Sequence, residues 1–280
     1  MDKVKLLKKF YLTIDKTTMK LECKCYGFEF LDMLKSHSKV DYIEHNPTIH
    51  KYKLSCMTEA YYDSFLQSHV LQEVNVCGYY NKRANNLFSF NLDTNKTVAE
   101  DSLIELQAAV KLISDYLQEF KIGPIVYNSG RGYHIVVKLT EQVDNRVIIK
   151  LMKYIWMRTF VTMHQNGLDK NRISISMYPH RQQETQTNSL RWFGSKHIKT
   201  NQFSSVVLPE GTLDEQGSWQ YFEFYMNNYF NTIGMLEEAI RGHEEYFKRF
   251  WHENFAKSKT SAADSYIKNG HLLDAFLKLC

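Results

Sequence analysis

Two glycines bracketing an arginine, Gly130-Arg131-Gly132, stand between the β-prone runs Ile125-Val126-Tyr127 and Tyr133 to Lys138, and this junction constrains the chain more than any other feature. The five residues Asn128-Ser129-Gly130-Arg131-Gly132 form a tight turn, so the segment reads as a hairpin of two strands. Upstream, Leu87 to Asp93 alternates with period two: Phe88, Phe90 and Leu92 point one way and Ser89, Asn91 and Asp93 the other. Ser102 to Glu105 has the pattern of a capping box. Leu103, Leu106, Val110, Ile113, Leu117 and Phe120 continue from it at helical spacing until Gly123-Pro124 breaks the run. The order strand, helix, hairpin is mixed α/β and excludes a helical bundle.

Further along, a second helix is expected over Arg146 to His164 and a strand in the stretch that begins at Gly167. A polar connection from His180 to Asn188 leads to Ser189–Lys199, and Phe203 to Leu208 reads as another strand. Trp219 to Phe255 carries aromatics on a helical period and predicts one or two helices. A polar stretch at 257–265 and a short amphipathic segment, His271 to Leu279, follow.

Composition sets outer bounds. Of 280 residues 44% are apolar and 14% aromatic, with 12 Gly and 4 Pro, which excludes a mainly disordered, collagenous or linker-like chain. The 35 basic and 31 acidic side chains leave +4, a mild excess that permits phosphate-bearing partners without requiring them. No apolar run approaches the roughly 18 to 20 residues of a bilayer span, and with the lysine-rich start MDKVKLLKK no signal peptide is expected. A soluble intracellular protein with no membrane partner is therefore expected. The five cysteines are odd in number and scattered, as in a reducing compartment. Cys23-Lys24-Cys25 is too closely spaced to wrap a zinc ion, so zinc is not supported and the thiols are expected in the core.

Three clusters carry chemistry. In the hairpin, turn amides and the hydroxyl, guanidinium and imidazole of Ser129, Arg131 and His134 converge as a triphosphate site requires. Arg191, Ser195, His197 and Lys199, around Gly194, make a second cradle for anions. Asn91 and Asp93 project together from a strand end and offer oxygen ligands to Mg²⁺. Each has a plainer reading on its own: a surface turn, a basic solvated face, a turn-forming aspartate. Lys82 and Arg83 beside Tyr79 and Tyr80 additionally have the make-up of a single-strand contact.

Taken in order, a strand with paired polar ligands, a capped helix, VYNSGRGYHIVV and then LRWFGSKHIKT resemble the catalytic core of the archaeo-eukaryotic primase superfamily, over roughly residues 75 to 208. The likeness is to the small catalytic primase subunit and the primase-polymerases. It implies an α/β (α+β) fold in which an α/β half and an RRM-like half flank a central cleft, with a helical C-terminal segment added. The corresponding divisions are 1–75 for the N-terminal part of the core, 76–218 for the core, 219–256 for the helical segment, and 257–280 for a linker and terminal helix. Ser129, Gly130, Arg131 and His134 would bind the nucleotide triphosphate, with Arg191, Ser195, His197 and Lys199, and Asp93 would bind metal. The family uses two Mg²⁺ or Mn²⁺ ions held by carboxylates, and here the sequence departs from it. Asn91 stands where the first aspartate is expected, and the usual distance from Arg191 lands on Pro179. Asp169 is the nearest replacement and Glu184 the next, so Asn91, Asp93 and Asp169 form the expected catalytic and metal set.

The resemblance implies a template-directed nucleotidyltransferase that makes or extends primers on single-stranded DNA during replication, from nucleoside triphosphates and alongside a helicase or primase large subunit. It would act in the cytoplasm, nucleoid or nucleus. A short, lysine-rich, divergent core would also suit a virus or mobile element. The alternative is a catalytically degenerate primase-like subunit that binds nucleotide or nucleic acid within a replication complex, and Asn91 argues for it.

Overall fold

A computed structural model describes residues 1–11, 15–23, 32, 35, 39–46, 49–55, 58–94, 102–179 and 189–255. The expectations for Glu184, for the connection His180 to Asn188 and for residues 257–280 lie outside the described residues. The chain forms two units, Met1–Ile240 and Arg241–Cys280. The elements run α1 (Lys3–Tyr11), β1 (Asp15–Cys23), β2 (Lys39–Asn46), β3 (Ile49–Ser55), α2 (Glu59–Val70), β4 (Val74–Tyr79), β5 (Ala84–Thr94), α3 (Ser102–Gln118), β6 (Ile125–Asn128), β7 (Gly132–Asp144), α4 (Asn145–Gln165), β8 (Ile173–Tyr178), β9 (Ser189–Arg191), β10 (Val207–Leu208), β11 (Gly211–Thr212), α5 (Glu215–Asn228) and α6 (Ile233–Phe255).

The alternation in β5 decides the layering. Phe88, Phe90 and Leu92 are fully buried against α3 and α4, in one core with Leu106, Ile113, Leu151 and Ile155. Each such side chain contributes about 1.5–3 kcal/mol of burial free energy. The opposite face of β5 changes character along its length: Leu87 is buried in a second core, Ser89 is buried and hydrogen-bonded to the Tyr80 hydroxyl at 2.8 Å, and Asn91 and Asp93 line a cavity. The layer between the two sheets is thus dry at one end and polar at the other.

The two large sheets and the β10-β11 pair are all antiparallel. The order β6-β7-β5-β8 forms a four-stranded sheet and β2-β3-β1-β4-β9 a five-stranded one. With six helices among the described residues, the architecture is α+β, as expected from the sequence. The second core joins α1, α2 and α5 to the five-stranded sheet through Phe10, Leu66, Leu21, Val76 and Phe222. None of the helices among the described residues is long and apolar enough to cross a membrane.

Two local expectations change. Phe203 to Leu208 is not one strand; only Val207–Leu208 pairs as β10, with single bridges at Phe203 and Val206. The reason is serine: Ser204 Oγ accepts from Gly194 N at 2.8 Å, and Ser218 Oγ accepts from Val206 N at 2.9 Å, so side chains satisfy backbone groups that a ladder would otherwise use. Tyr79 and Tyr80, expected to interleave with Lys82 and Arg83 on a nucleic-acid surface, are buried (8% and 7% exposed), which leaves the two cations without stacking partners from this pair.

His69, on α2, ties the sheet to the loop that follows β9. Its Nδ1 accepts from Val76 N at 3.0 Å, which fixes the proton on Nε2, and Nε2 donates to the Phe193 carbonyl at 2.9 Å. Burial pushes its pKa from 6.5 down to about 4. The unfolded chain takes up this proton near pH 6.5 and the folded protein only near 4, so stability is full above 6.5 and falls as pH drops across that window, by about 3 kcal/mol from this group. His134 and His197 act in the same direction. Thermal melting between pH 7.5 and 4 is expected to show a steep fall in midpoint; a midpoint unchanged across that range contradicts it.

Candidate active site

The polar end of the inter-sheet layer opens into a cavity of about 180 Å³. One wall is the four-stranded sheet, with Asn91 and Asp93 from β5, His134 from β7, Tyr178 from β8 and the hairpin turn with Ser129 and Arg131. The other is the five-stranded sheet, with Lys20 and Glu22 from β1, Cys77 from β4, and Ser189 and Arg191 from β9; His197 closes the space between them.

The turn needs both its glycines. Gly130 has φ +94°, and a Cβ there would lie 2.3 Å from Cβ of His197; a Cβ on Gly132 would lie 1.9 Å from the Leu92 carbonyl oxygen. The hairpin can therefore press against both β5 and the His197 loop. The turn's amides are only partly available: Ser129 N donates to the Gly132 carbonyl at 2.9 Å, and Gly130 N to Asn128 Oδ1 at 2.5 Å. Two of the amides expected to face an anion are thus engaged within the turn.

The His197 loop is anchored to the five-stranded sheet. Asn75 Nδ2 donates to the Lys196 carbonyl at 2.7 Å and Asn75 Oδ1 accepts from Lys196 N at 3.1 Å. His197 Nδ1 accepts from Thr200 N at 3.0 Å, so in the neutral ring Nε2 carries the hydrogen and is a donor. Burial, then Arg191 and Arg131, hold its pKa down to about 4 despite Glu22 and Asp93. His134 is 4% exposed, and burial with Arg191 lowers it to about 3; its Nδ1 is buried without a hydrogen-bond partner. With both imidazoles neutral, Lys20, Arg131 and Arg191 face Glu22 and Asp93, and the lining carries a net formal charge of +1. That balance favours an anion.

Of the residues expected from the sequence, Asn91, Asp93, Ser129, Arg131, His134, Arg191 and His197 meet in this cavity. Four do not line it. Asp169 is exposed and caps the short turn Lys170–Arg172, accepting from Asn171 N at 2.9 Å. Ser195 is buried behind the lining, and its carbonyl accepts from Ser204 N at 2.9 Å. Lys199 is exposed on the turn beyond His197, and Gly130 serves by its lack of a side chain. Lys20, Glu22, Cys77 and Tyr178 were not foreseen. The one available signal was the alternation of Lys20 and Glu22 with Met19, Leu21 and Cys23.

Among the described residues of the cavity lining, the carboxylates are Glu22 and Asp93. Across β8, Asn91 pairs with Ser176 and Asp93 with Ser174. Asn91 Nδ2 donates to Asp93 Oδ2 at 3.2 Å, and among the described residues no three His, Cys, Asp or Glu side chains converge as a metal site. Asp93 with phosphate oxygens is a set of the kind that holds one hard divalent ion brought in by a nucleotide.

No protein-family model and no curated protein matches the sequence. Among solved structures, the chain is similar to the polymerase domain of Mycobacterium tuberculosis ligase D in complex with DNA, with a TM-score of 0.40, 13% identity and 87% of each chain covered.

Proposed function

We propose that the cavity binds a nucleoside triphosphate and that the protein is a primase- or primase-polymerase-like nucleotidyltransferase acting on a single-stranded DNA template. The observation that carries this reading is the meeting, in one cation-lined cavity, of Ser129, Arg131, His134, Arg191 and His197 with Asp93. Transfer of a nucleotidyl group joins a primer 3′ oxygen to the α-phosphorus and releases pyrophosphate, and it is catalysed mainly by positioning and by stabilising negative charge. Arg131 and Arg191 supply the charge, Ser129 and the Nε2–H of His197 supply directional donors, and Asp93 is the acceptor offered to the attacking hydroxyl. A divalent ion, Mg²⁺ or Mn²⁺, brought with the phosphates would be held by Asp93 and would offset their negative charge.

The second reading, a binding subunit without catalysis, is favoured by the Asn91–Asp93 hydrogen bond, which ties the one carboxylate of this strand to a neutral amide. Incorporation of labelled nucleotide on single-stranded DNA, with Mg²⁺ and with Mn²⁺, separates the two. Template-dependent extension is the expected result. Nucleotide binding without incorporation selects the second reading, and neither binding nor incorporation overturns both.

A further inference from the structure

The nucleotide reading leaves Lys20 and Glu22 without a role, although both stand on the wall facing the hairpin turn. Antiparallel pairing sets Lys20 beside Cys77 and Cys77 beside Arg191, so the two cations share one row across β1, β4 and β9. Glu22 divides its carboxylate between them: Oε1 lies 3.2 Å from Lys20 Nζ, and Oε2 lies 3.8 Å from Arg191 Nε. All three side chains are mostly buried, 17%, 13% and 18% exposed. Glu22 approaches Arg191 at Nε, and Arg191 itself lines the cavity.

We propose that Glu22 is a counter-ion latch: it neutralises Lys20 and Arg191 while the cleft is empty and yields both to the phosphates of an incoming nucleotide, with Lys20 as a further phosphate-binding residue. Two cations in one buried row repel each other, and without a carboxylate between them the empty site would be costly to fold. The same carboxylate opposes an entering polyanion. Glu22 therefore gives up affinity in return for a stable empty cleft. Burial alone would raise its carboxyl pKa, but Arg191, Lys20 and Lys51 outweigh that and hold it below the usual value, so the latch is charged at neutral pH.

The inference rests on the nucleotide reading, and inorganic tripolyphosphate as the probe separates the two. In the full chain, Glu22→Gln is expected to bind tripolyphosphate and nucleoside triphosphate about tenfold more tightly by calorimetry. It should also melt at a lower temperature when empty and gain more than the wild type from added tripolyphosphate. Unchanged or weaker binding by a folded Glu22→Gln overturns the latch and leaves the nucleotide reading standing. Tighter tripolyphosphate binding with no binding of nucleotide keeps the latch and overturns the nucleotide reading. If neither protein binds either probe, both fall. Should Glu22→Gln fail to fold even with tripolyphosphate, Lys20→Gln decides: the latch requires its affinity for tripolyphosphate to drop several-fold, and an unchanged value overturns it.

Discussion

Replacing Asp93 with alanine is expected to abolish template-dependent nucleotide incorporation, a loss of about a thousandfold when a group aimed at the reacting centre is removed. Asp93 sits at the wet end of β5, where its side chain is only half-buried, so the fold should survive the change. The companion substitution tests the departure beside it. Asn91→Asp replaces an amide that donates to Asp93 at 3.2 Å with a second carboxylate. Without a cation the pair then repels; with Mg²⁺ or Mn²⁺ it gains a ligand, so incorporation should be kept or raised and its dependence on the ion steepened. Incorporation assays at several ion concentrations, with circular dichroism to confirm folding, read both variants. An Asp93→Ala protein that still extends a primer removes Asp93 from the chemistry.

The second large effect concerns affinity. Arg131→Ala should weaken triphosphate binding by about 1.5 to 3 kcal/mol, or roughly ten- to a hundredfold, the magnitude of a lost charge-assisted hydrogen bond. Arg131 is exposed at the cavity mouth between two glycines that carry the turn, so its side chain can be removed without disturbing the backbone. Titration of nucleotide into the variant checks this. An unchanged dissociation constant in a folded protein takes the hairpin turn out of triphosphate recognition.

The hairpin, the β5 strand and helices α3 and α4 were legible because each is specified locally. Two glycines allow a turn that other residues cannot make, Phe88, Phe90 and Leu92 choose a face by period two, and the apolar helical spacing after Ser102 leaves one fold for the segment. The convergence of Ser129, Arg131 and His134 follows from the turn alone. The opposite wall was not legible, because the antiparallel pairing of β1 with β4 and of β4 with β9 creates it, bringing Lys20 within one row of Arg191 from 171 residues away in sequence. Read alone, Asp15–Cys23 is a strand with a charged side, as a solvent-facing strand would be. Asp169 lies away from the cavity for the converse reason: a short carboxylate just before Lys-Asn-Arg closes on its own backbone. Phe203 to Leu208 has strand-forming residues, but the hydroxyls of Ser204 and Ser218 take up backbone groups at Gly194 and Val206 instead.

The contact between Gly130 and His197 has a consequence for how the molecule can work. The hairpin of one sheet is seated, with no room for even a methyl group, on a loop that Asn75 fastens to the other sheet by a reciprocal pair of hydrogen bonds. The aperture between the walls is in this way preset. It is a gauge cut in advance, where other clefts rely on jaws that close. Binding at the proposed nucleotide site is then expected to proceed without a slow closure of the walls, the exchange of counter-ions at Glu22 being a side-chain event.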